Sequence, residues 1–205
     1  MNVVKFGKRI LTWILIFTGC LVSVIVTIIL VRGFDARRMA ELNIWHTAHL
    51  TSEFRARDMK PGFTFETYRK REDQLFENLK RSVYQQIAGD DQHVFNRYFT
   101  EAFCHPDRQE KNWNRTFELH PEHPKGGVLL LHGLSDGPYS MRALAHMFHQ
   151  QGYYVLVPRL PGHGTIPGML KSATWKDWVA ATDLAAHHVR SVTGPDAPFF
   201  LGGYS

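Results

Sequence analysis

A run of 22 residues without a charged side chain, from Ile10 to Val31, constrains the chain more than any other feature. About 20 apolar residues suffice to cross a bilayer, and only a helix satisfies the backbone of a single segment there. A cleaved signal peptide usually has a shorter apolar region and a small-residue cleavage site. We therefore predict one uncleaved transmembrane helix over 10–31, preceded by a basic tail over 1–9.

A lipoprotein is the alternative for this segment. The residues from Phe17 to Cys20 weakly resemble a bacterial lipoprotein cleavage site, but the apolar run continues past Cys20, where a mature lipoprotein turns polar. Orientation follows from flanking charge, and three basic residues precede the span while three follow it within 32–38. A short basic tail before a first span more often stays cytoplasmic, which predicts that most of the chain is extracytoplasmic, periplasmic in a bacterium.

Charge and cysteine usage favour an ordinary globular remainder. The formal net charge is +5, yet basic and acidic residues alternate, as in the stretch 69–81, which is typical of a solvated helix face. We therefore predict no nucleic-acid partner. The two cysteines, Cys20 and Cys104, are too few for a disulfide framework.

The region 32–114 is predicted to be mainly helical and membrane-proximal. Apolar residues recur at helical spacing over 67–87, with Pro61-Gly62 before this stretch and Gly89 after it. They are Tyr68, Leu75, Phe76, Leu79, Val83 and Ile87. This pattern indicates an amphipathic helix packed on the domain or lying near a membrane, and nothing in it suggests chemistry.

From residue 115 onward the pattern alternates between apolar strands and amphipathic helices. Strands are predicted over 115–120, 128–131, 153–157 and 198–203, and the last of them, with the apolar run Phe199, Phe200 and Leu201, is predicted to be buried. The first helix should bury Met141, Leu144, Met147 and Phe148. The second, with a capping box from Thr174 to Asp177, should bury Trp175, Trp178, Val179, Ala186 and Val189. Such alternation predicts the α/β class, with a parallel sheet covered on both faces.

Three short motifs lie at the ends of these strands: HGL at 132–134, PGHGT at 161–165 and GYS at 203–205. Together, in this order, they resemble the first half of an α/β-hydrolase of the esterase, monoacylglycerol lipase and lysophospholipase group, also classed as serine aminopeptidase-like. The resemblance covers 115–205, which predicts the N-terminal part of that fold. Residues 1–114 contribute nothing specific to it.

The resemblance also implies roles for individual residues. Ser205 would be the nucleophile, on an elbow that begins with Gly203 and Tyr204. The backbone N–H of Leu134 would belong to the oxyanion hole, in a loop with His132 and Gly133. The loop beside the active-site entrance would contain Gly162, His163 and Gly164. A serine near a helix start is otherwise often only a cap, and the upstream motifs favour the nucleophile.

The implied activity is that of a membrane-anchored serine hydrolase acting on small-molecule or lipid carboxylic esters, without a cofactor. In this fold the triad runs Ser, then Asp or Glu, then His, so His132 is not the base. The acid and base would follow Ser205, and residues 1–205 alone are expected to be inactive. The alternative is a non-catalytic membrane-anchored fragment or interaction protein. The histidine pairs of the chain lack supporting ligands at metal spacing, so we predict no metal site.

We predict that residues 10–31 hold the chain in the membrane as one uncleaved helix. Alkaline carbonate extraction should leave the protein in the membrane pellet, because an embedded helix is not released by breaking peripheral contacts. Cys20→Ser should change neither its mobility nor its retention. A mature N-terminus at Cys20 would instead establish the lipoprotein alternative.

Overall fold

The computed structural model describes residues 3–38 and 41–204, and its contacts separate into two units. The first unit contains one helix, α1 (Val3–Arg38). Within the described chain this is the one helix that could cross a membrane by length and composition, over Lys8–Arg37, where its most apolar window has a mean hydropathy of 3.0. The predicted span 10–31 lies inside it.

The second unit begins at Leu42 and contains all the strands of the described chain. Its α-helices are α2 (Ile44–Thr47), α3 (Phe65–Ser82), α4 (Arg142–Gln150), α5 (Pro167–Leu170) and α6 (Trp175–Thr193). Its strands are β1 (Phe117–Leu119), β2 (Gly127–Leu131), β3 (Tyr154–Val157) and β4 (Phe199–Gly203). Short 3₁₀ turns occupy Ala56–Asp58, Tyr84–Gln86, Gly89–Asp91, Pro106–Arg108 and Pro138–Met141.

The four strands form one sheet in the order β1-β3-β2-β4. The α/β class is confirmed, since β2 pairs in parallel with both β3 and β4 and helices cover the two faces. The predicted parallel arrangement holds for β2, β3 and β4, and β1 adds an edge strand that runs antiparallel to β3. Only a short polar link without a helix joins β1 to β2, and a parallel return needs a longer crossover.

The two amphipathic helices bury narrower faces than the sequence predicts. In α6, Trp175 and Val179 are 65% and 58% exposed, while the small residues Ala181 and Ala185 face the sheet. The helix approaches the sheet most closely near its C-terminal end, where a Cβ added at Gly127 would lie 2.2 Å from the Val189 side chain. Trp175 lies in the first turn of α6, away from this contact, and borders an open groove.

Three other expectations about the elements also differ from the structure. In α4, Ala145 is buried, whereas Leu144 and Met147 are 36% and 50% exposed. The helix α3 ends at Ser82 and a 3₁₀ turn follows, so the predicted extension to residue 87 was wrong. Because β4 lies at the edge of the sheet, Phe200 is exposed rather than buried. The capping box of α6 is confirmed.

Residues 42–114 pack on the sheet through a buried arginine. Arg159, which follows β3, is only 1% exposed, and its guanidinium meets two carboxyl groups from this N-terminal region. Its Nη2 and Nη1 donate to Glu53 at 2.8 and 3.1 Å, and its Nε donates to Glu72 at 3.2 Å. We call these three residues the Arg159 cluster.

Neighbouring groups complete the hydrogen bonding of the Arg159 cluster. Thr116 donates from its N–H and its hydroxyl to Glu72, and the same hydroxyl accepts the N–H of Arg159. The Tyr68 hydroxyl donates to the Arg159 carbonyl. Burial opposes the charge of Arg159, but Glu53 and its other neighbours outweigh burial and hold the guanidinium pKa above its ordinary value. The predicted boundary at residue 114 lies inside this compact unit and stays a prediction.

We predict that Arg159→Met destabilises the protein by about 3–5 kcal/mol, because it leaves buried carboxyl groups without their cation. Thermal unfolding of the 205-residue chain in detergent, followed by circular dichroism, should shift down by roughly 10 °C. The matched control is Lys70→Met, which breaks an ion pair with Glu66 whose side chains are 69% and 72% exposed. Equal melting temperatures for the two variants would contradict a structural role for the cluster.

Candidate active site

The loop after β2 is anchored by His132, whose ring is buried and engaged at both nitrogens. Its Nε2 accepts the backbone N–H of Leu160 at 3.0 Å, and its Nδ1 lies 3.1 Å from the carbonyl of Gly133. Because Nε2 must accept, the proton sits on Nδ1 and is donated to Gly133. His132 therefore joins the loop after β2 to the loop after β3.

The environment of His132 keeps its ring neutral. Burial is the largest influence and lowers the pKa to about 4, and the neighbouring ring of His163 and the charge of Arg159 act in the same direction. The hydrogen bond to Gly133 and the carboxylate of Asp136 act in the opposite direction, but more weakly. A neutral ring with both nitrogens occupied orients the backbone and is not available as a general base.

The loop after β3 needs glycine at two of its predicted positions. Gly162 and Gly164 have φ angles of +85° and +74°, which side-chain-bearing residues rarely adopt. A Cβ at Gly164 would lie 2.5 Å from the carbonyl oxygen of Asn114, so the chain also passes too close for a side chain. This is a physical reason for the glycines of the PGHGT motif.

Several distant residues fix the same loop. Glu53 accepts the N–H of Gly162 at 2.9 Å, and the indole N–H of Trp178 donates to the carbonyl of Pro161 at 2.9 Å. Arg159 also donates to the carbonyl of His163 at 3.0 Å. Hydrogen bonds with α6, with the N-terminal region and with Arg159, which itself follows β3, thus hold this loop in place.

His163 lies beside His132, with ring centroids 4.8 Å apart. Its Nδ1 is 3.2 Å from the carbonyl of Leu160 and 3.1 Å from that of Pro161, so Nδ1 carries the proton. Burial lowers its pKa, and the ring is neutral at physiological pH. Within residues 41–204 its buried Nε2 meets no hydrogen-bond donor.

Leu134 has an exposed side chain at the turn that follows His132 and Gly133. Among the described residues its backbone N–H donates to no acceptor. Gly203 ends β4 next to Leu131, and Tyr204 places its hydroxyl on the carboxylate of Asp136. Ser205 lies outside the described residues.

Two cavities border these loops. An apolar groove of about 850 Å³ is lined by His132, Trp178 and Tyr204 together with neighbouring side chains of α6. A cleft of about 770 Å³ lies between the loops at 135–137 and 162–165 and the N-terminal region. The structure thus brings the residues of HGL, PGHGT and Gly-Tyr to one end of the sheet. Within the described residues no group of His, Cys, Asp and Glu side chains is arranged to hold a metal ion.

Comparison with known proteins gives a match to part of the chain. No family model matches it. A thermostable monoacylglycerol lipase from Bacillus sp. (strain H-257) is 47% identical over 57 residues. Over this segment the chain is related to the lipases and esterases of the α/β-hydrolase type.

The similarity to these lipases and esterases covers only part of each chain. The match covers 28% of this chain and 23% of the Bacillus lipase. A solved structure from the metagenome-derived lipolytic enzymes LipS and LipT is 33% identical, with a TM-score of 0.40. That match covers 45% of this chain and 36% of the other.

Sequence reasoning missed the residues that hold the site in place. Glu53 and Arg159 are far apart along the chain, and the N-terminal region carried no motif that pointed to the loop. A charged residue two positions after the apolar strand β3 was the one available signal for Arg159, since a charge at such a depth needs a partner.

We predict that acid destabilises the protein through His132. Its pKa in the folded state, about 4, is below the ordinary value of 6.5, so the unfolded chain binds the proton first as pH falls. Stability should therefore decrease from about pH 6.5 to pH 4, by up to about 3 kcal/mol from this residue.

Denaturant unfolding at a series of pH values measures this effect. His132→Gln keeps an acceptor for the Leu160 N–H but does not titrate, so its stability should depend less steeply on pH. His123→Gln is the control, because His123 is exposed in the link between β1 and β2. The same pH dependence in all three proteins would show that His132 contributes nothing to it.

Proposed function

We propose that this protein is a membrane-anchored serine hydrolase of carboxylic esters, with Ser205 as nucleophile and residues 10–31 as the anchor. The observation that carries the proposal is the convergence of HGL and PGHGT with Gly203 and Tyr204 at the carboxyl end of the sheet. Open α/β sheets bind their ligands at this end. The partial identity with a monoacylglycerol lipase supports the same chemistry.

In the proposed reaction, the hydroxyl oxygen of Ser205 attacks the ester carbonyl carbon. A base accepts the hydroxyl proton and returns it to the departing alcohol, and water then hydrolyses the acyl-enzyme. The backbone N–H of Leu134 would donate to the carbonyl oxygen as negative charge develops on it. His132 supports this role because its two hydrogen bonds fix the backbone just before Leu134.

The apolar groove favours an acyl chain as part of the substrate. It runs along Trp175, Val179 and Ala186 of α6 and reaches Gly203 and Tyr204, which directly precede the proposed nucleophile. Apolar pockets with a few polar groups at one end are typical sites for amphipathic ligands. A lipid ester with its carbonyl beside Gly203 and Tyr204 and its acyl chain along α6 fits this arrangement.

Reactivity with a fluorophosphonate probe tests the proposal. A polypeptide of residues 1–205 should not label, because in this fold the acid and base follow the nucleophile. A polypeptide continued through such an acid and histidine should label and hydrolyse aryl esters, and Ser205→Ala should abolish both.

Two variants at Leu134 test the oxyanion role in the polypeptide that continues through the later acid and histidine. Leu134→Pro removes the backbone N–H and should lower kcat by about 10²–10³-fold, whereas the kcat of Leu134→Ala, which keeps the N–H, should stay close to that of the parent.

Labelling that survives Ser205→Ala would exclude this serine as the nucleophile. A continued chain that neither labels nor hydrolyses would favour the interaction-protein alternative.

A further inference from the structure

Residues 93–104 form a segment of consecutive turns with two different faces. Backbone hydrogen bonds from Asn96 to His93, from Phe99 to Asn96 and from Ala102 to Phe99 define the turns. The inner face is buried, with Tyr98 6% and Ala102 0% exposed. The segment is therefore folded against the body of the second unit through these side chains.

The outer face of the segment is apolar. Val94, Phe95 and Phe103 are 53%, 76% and 63% exposed, and we call them the outer aromatic patch. The two phenyl rings pack edge to face, with centroids 5.8 Å apart and planes at 87°. Isolated exposed apolar residues are common, but a packed pair of outward phenylalanines on an ordered segment is typical of an interaction surface.

Charge argues against a strongly charged partner for this patch. Residues 93–111 contain three basic residues, Arg97, Arg108 and Lys111, and three acidic residues, Glu101, Asp107 and Glu110. Their formal charges cancel, so the surface has no long-range attraction to anions or cations. The partner must be recognised through apolar contact.

The candidate span is close to this unit along the chain. Only residues 39–41 separate α1, with its candidate span, from the unit that carries the outer aromatic patch. A bilayer around that span makes lipid the nearest and most abundant apolar phase. Aromatic and aliphatic side chains outside a span insert readily at the headgroup boundary of such a bilayer.

The inner side of the same segment lines the cleft. Arg97, Tyr98 and Cys104 belong to the wall of this cavity, and Asp136 and His163 border it from the loops of the candidate site. Phe103 and Cys104 are adjacent in sequence, with one on the outer patch and the other on the cleft wall. One short segment therefore separates the apolar outer face from the candidate site.

We propose that the outer aromatic patch inserts into the surface of the membrane that holds α1, so that the mouth of the cleft lies at the lipid surface. Lipid esters then reach the candidate site from the bilayer rather than from water. This inference rests on the proposed anchor and lipid-ester function, and its test has a readout that does not depend on catalysis.

The experiment places an environment-sensitive nitrobenzoxadiazole label at single cysteines of the 205-residue chain reconstituted in phosphatidylcholine vesicles. The background carries Cys20→Ser and Cys104→Ser, because serine at 104 keeps a donor for the carbonyl of Phe95. The test positions are Phe95→Cys and Phe103→Cys. Spin-labelled lipids with the quencher at an early acyl carbon report insertion to a depth of about 5–10 Å.

Three further positions serve as controls. Trp13→Cys lies in α1 and reports whether the helix is embedded. Glu122→Cys is exposed in the link before the amino end of β2, away from the strand ends that carry the cleft loops. Leu201→Cys is apolar and 60% exposed on the edge strand β4, so it reports whether any exposed apolar position contacts lipid.

We expect blue-shifted emission and loss of intensity with the lipid quencher at 13, 95 and 103, but not at 122 or 201. The quenching should persist at high salt, since no charge attraction is involved. Quenching at 13 alone would leave the anchor in place and overturn insertion of the patch.

The remaining outcomes also overturn the inference. A blue shift at 95 and 103 without lipid quenching would show that protein covers the patch. Quenching at all five positions would show unspecific adsorption of the whole unit. No quenching at 13 would reject the anchor and, with it, the reason for choosing lipid.

Discussion

The buried guanidinium of Arg159 forms the ion pairs that join the N-terminal region of the second unit to its sheet. A single cation joins Glu53 and Glu72 from the N-terminal region to the loop that follows β3, and all three residues are at least 90% buried. Such a group is costly to bury alone, so burying any one of the three side chains without its partners would destabilise the fold. The N-terminal region is therefore part of the body of the domain.

The same contact reaches the candidate site through a few hydrogen bonds. Glu53 accepts the N–H of Gly162, and the neighbouring Leu160 donates its N–H to His132. His132 in turn fixes the backbone that leads into Leu134. The geometry of the proposed oxyanion loop is thus supported by a carboxyl group about 80 residues earlier in the chain, outside the segment that resembles hydrolases.

The proposed function and the proposed membrane contact suit one another physically. Lipid esters are concentrated in the bilayer, and an anchored hydrolase gains by taking them from there instead of waiting for rare monomers in water. The cleft, the outer aromatic patch and α1 would then all serve to bring lipid esters from the bilayer to the candidate site. The apolar groove along α6 would accommodate the acyl chain.

Local sequence patterns were enough to predict the apolar helix, the α/β class, the capping box of α6 and the glycines of PGHGT. Each depends on neighbours within a few residues or on a chemical motif. Three features became visible only in the folded chain: the antiparallel β1, the exposure of Trp175 and the pairing of Arg159 with Glu53 and Glu72. These depend on which surfaces meet and how closely backbones approach, and periodicity along one chain contains no information about either.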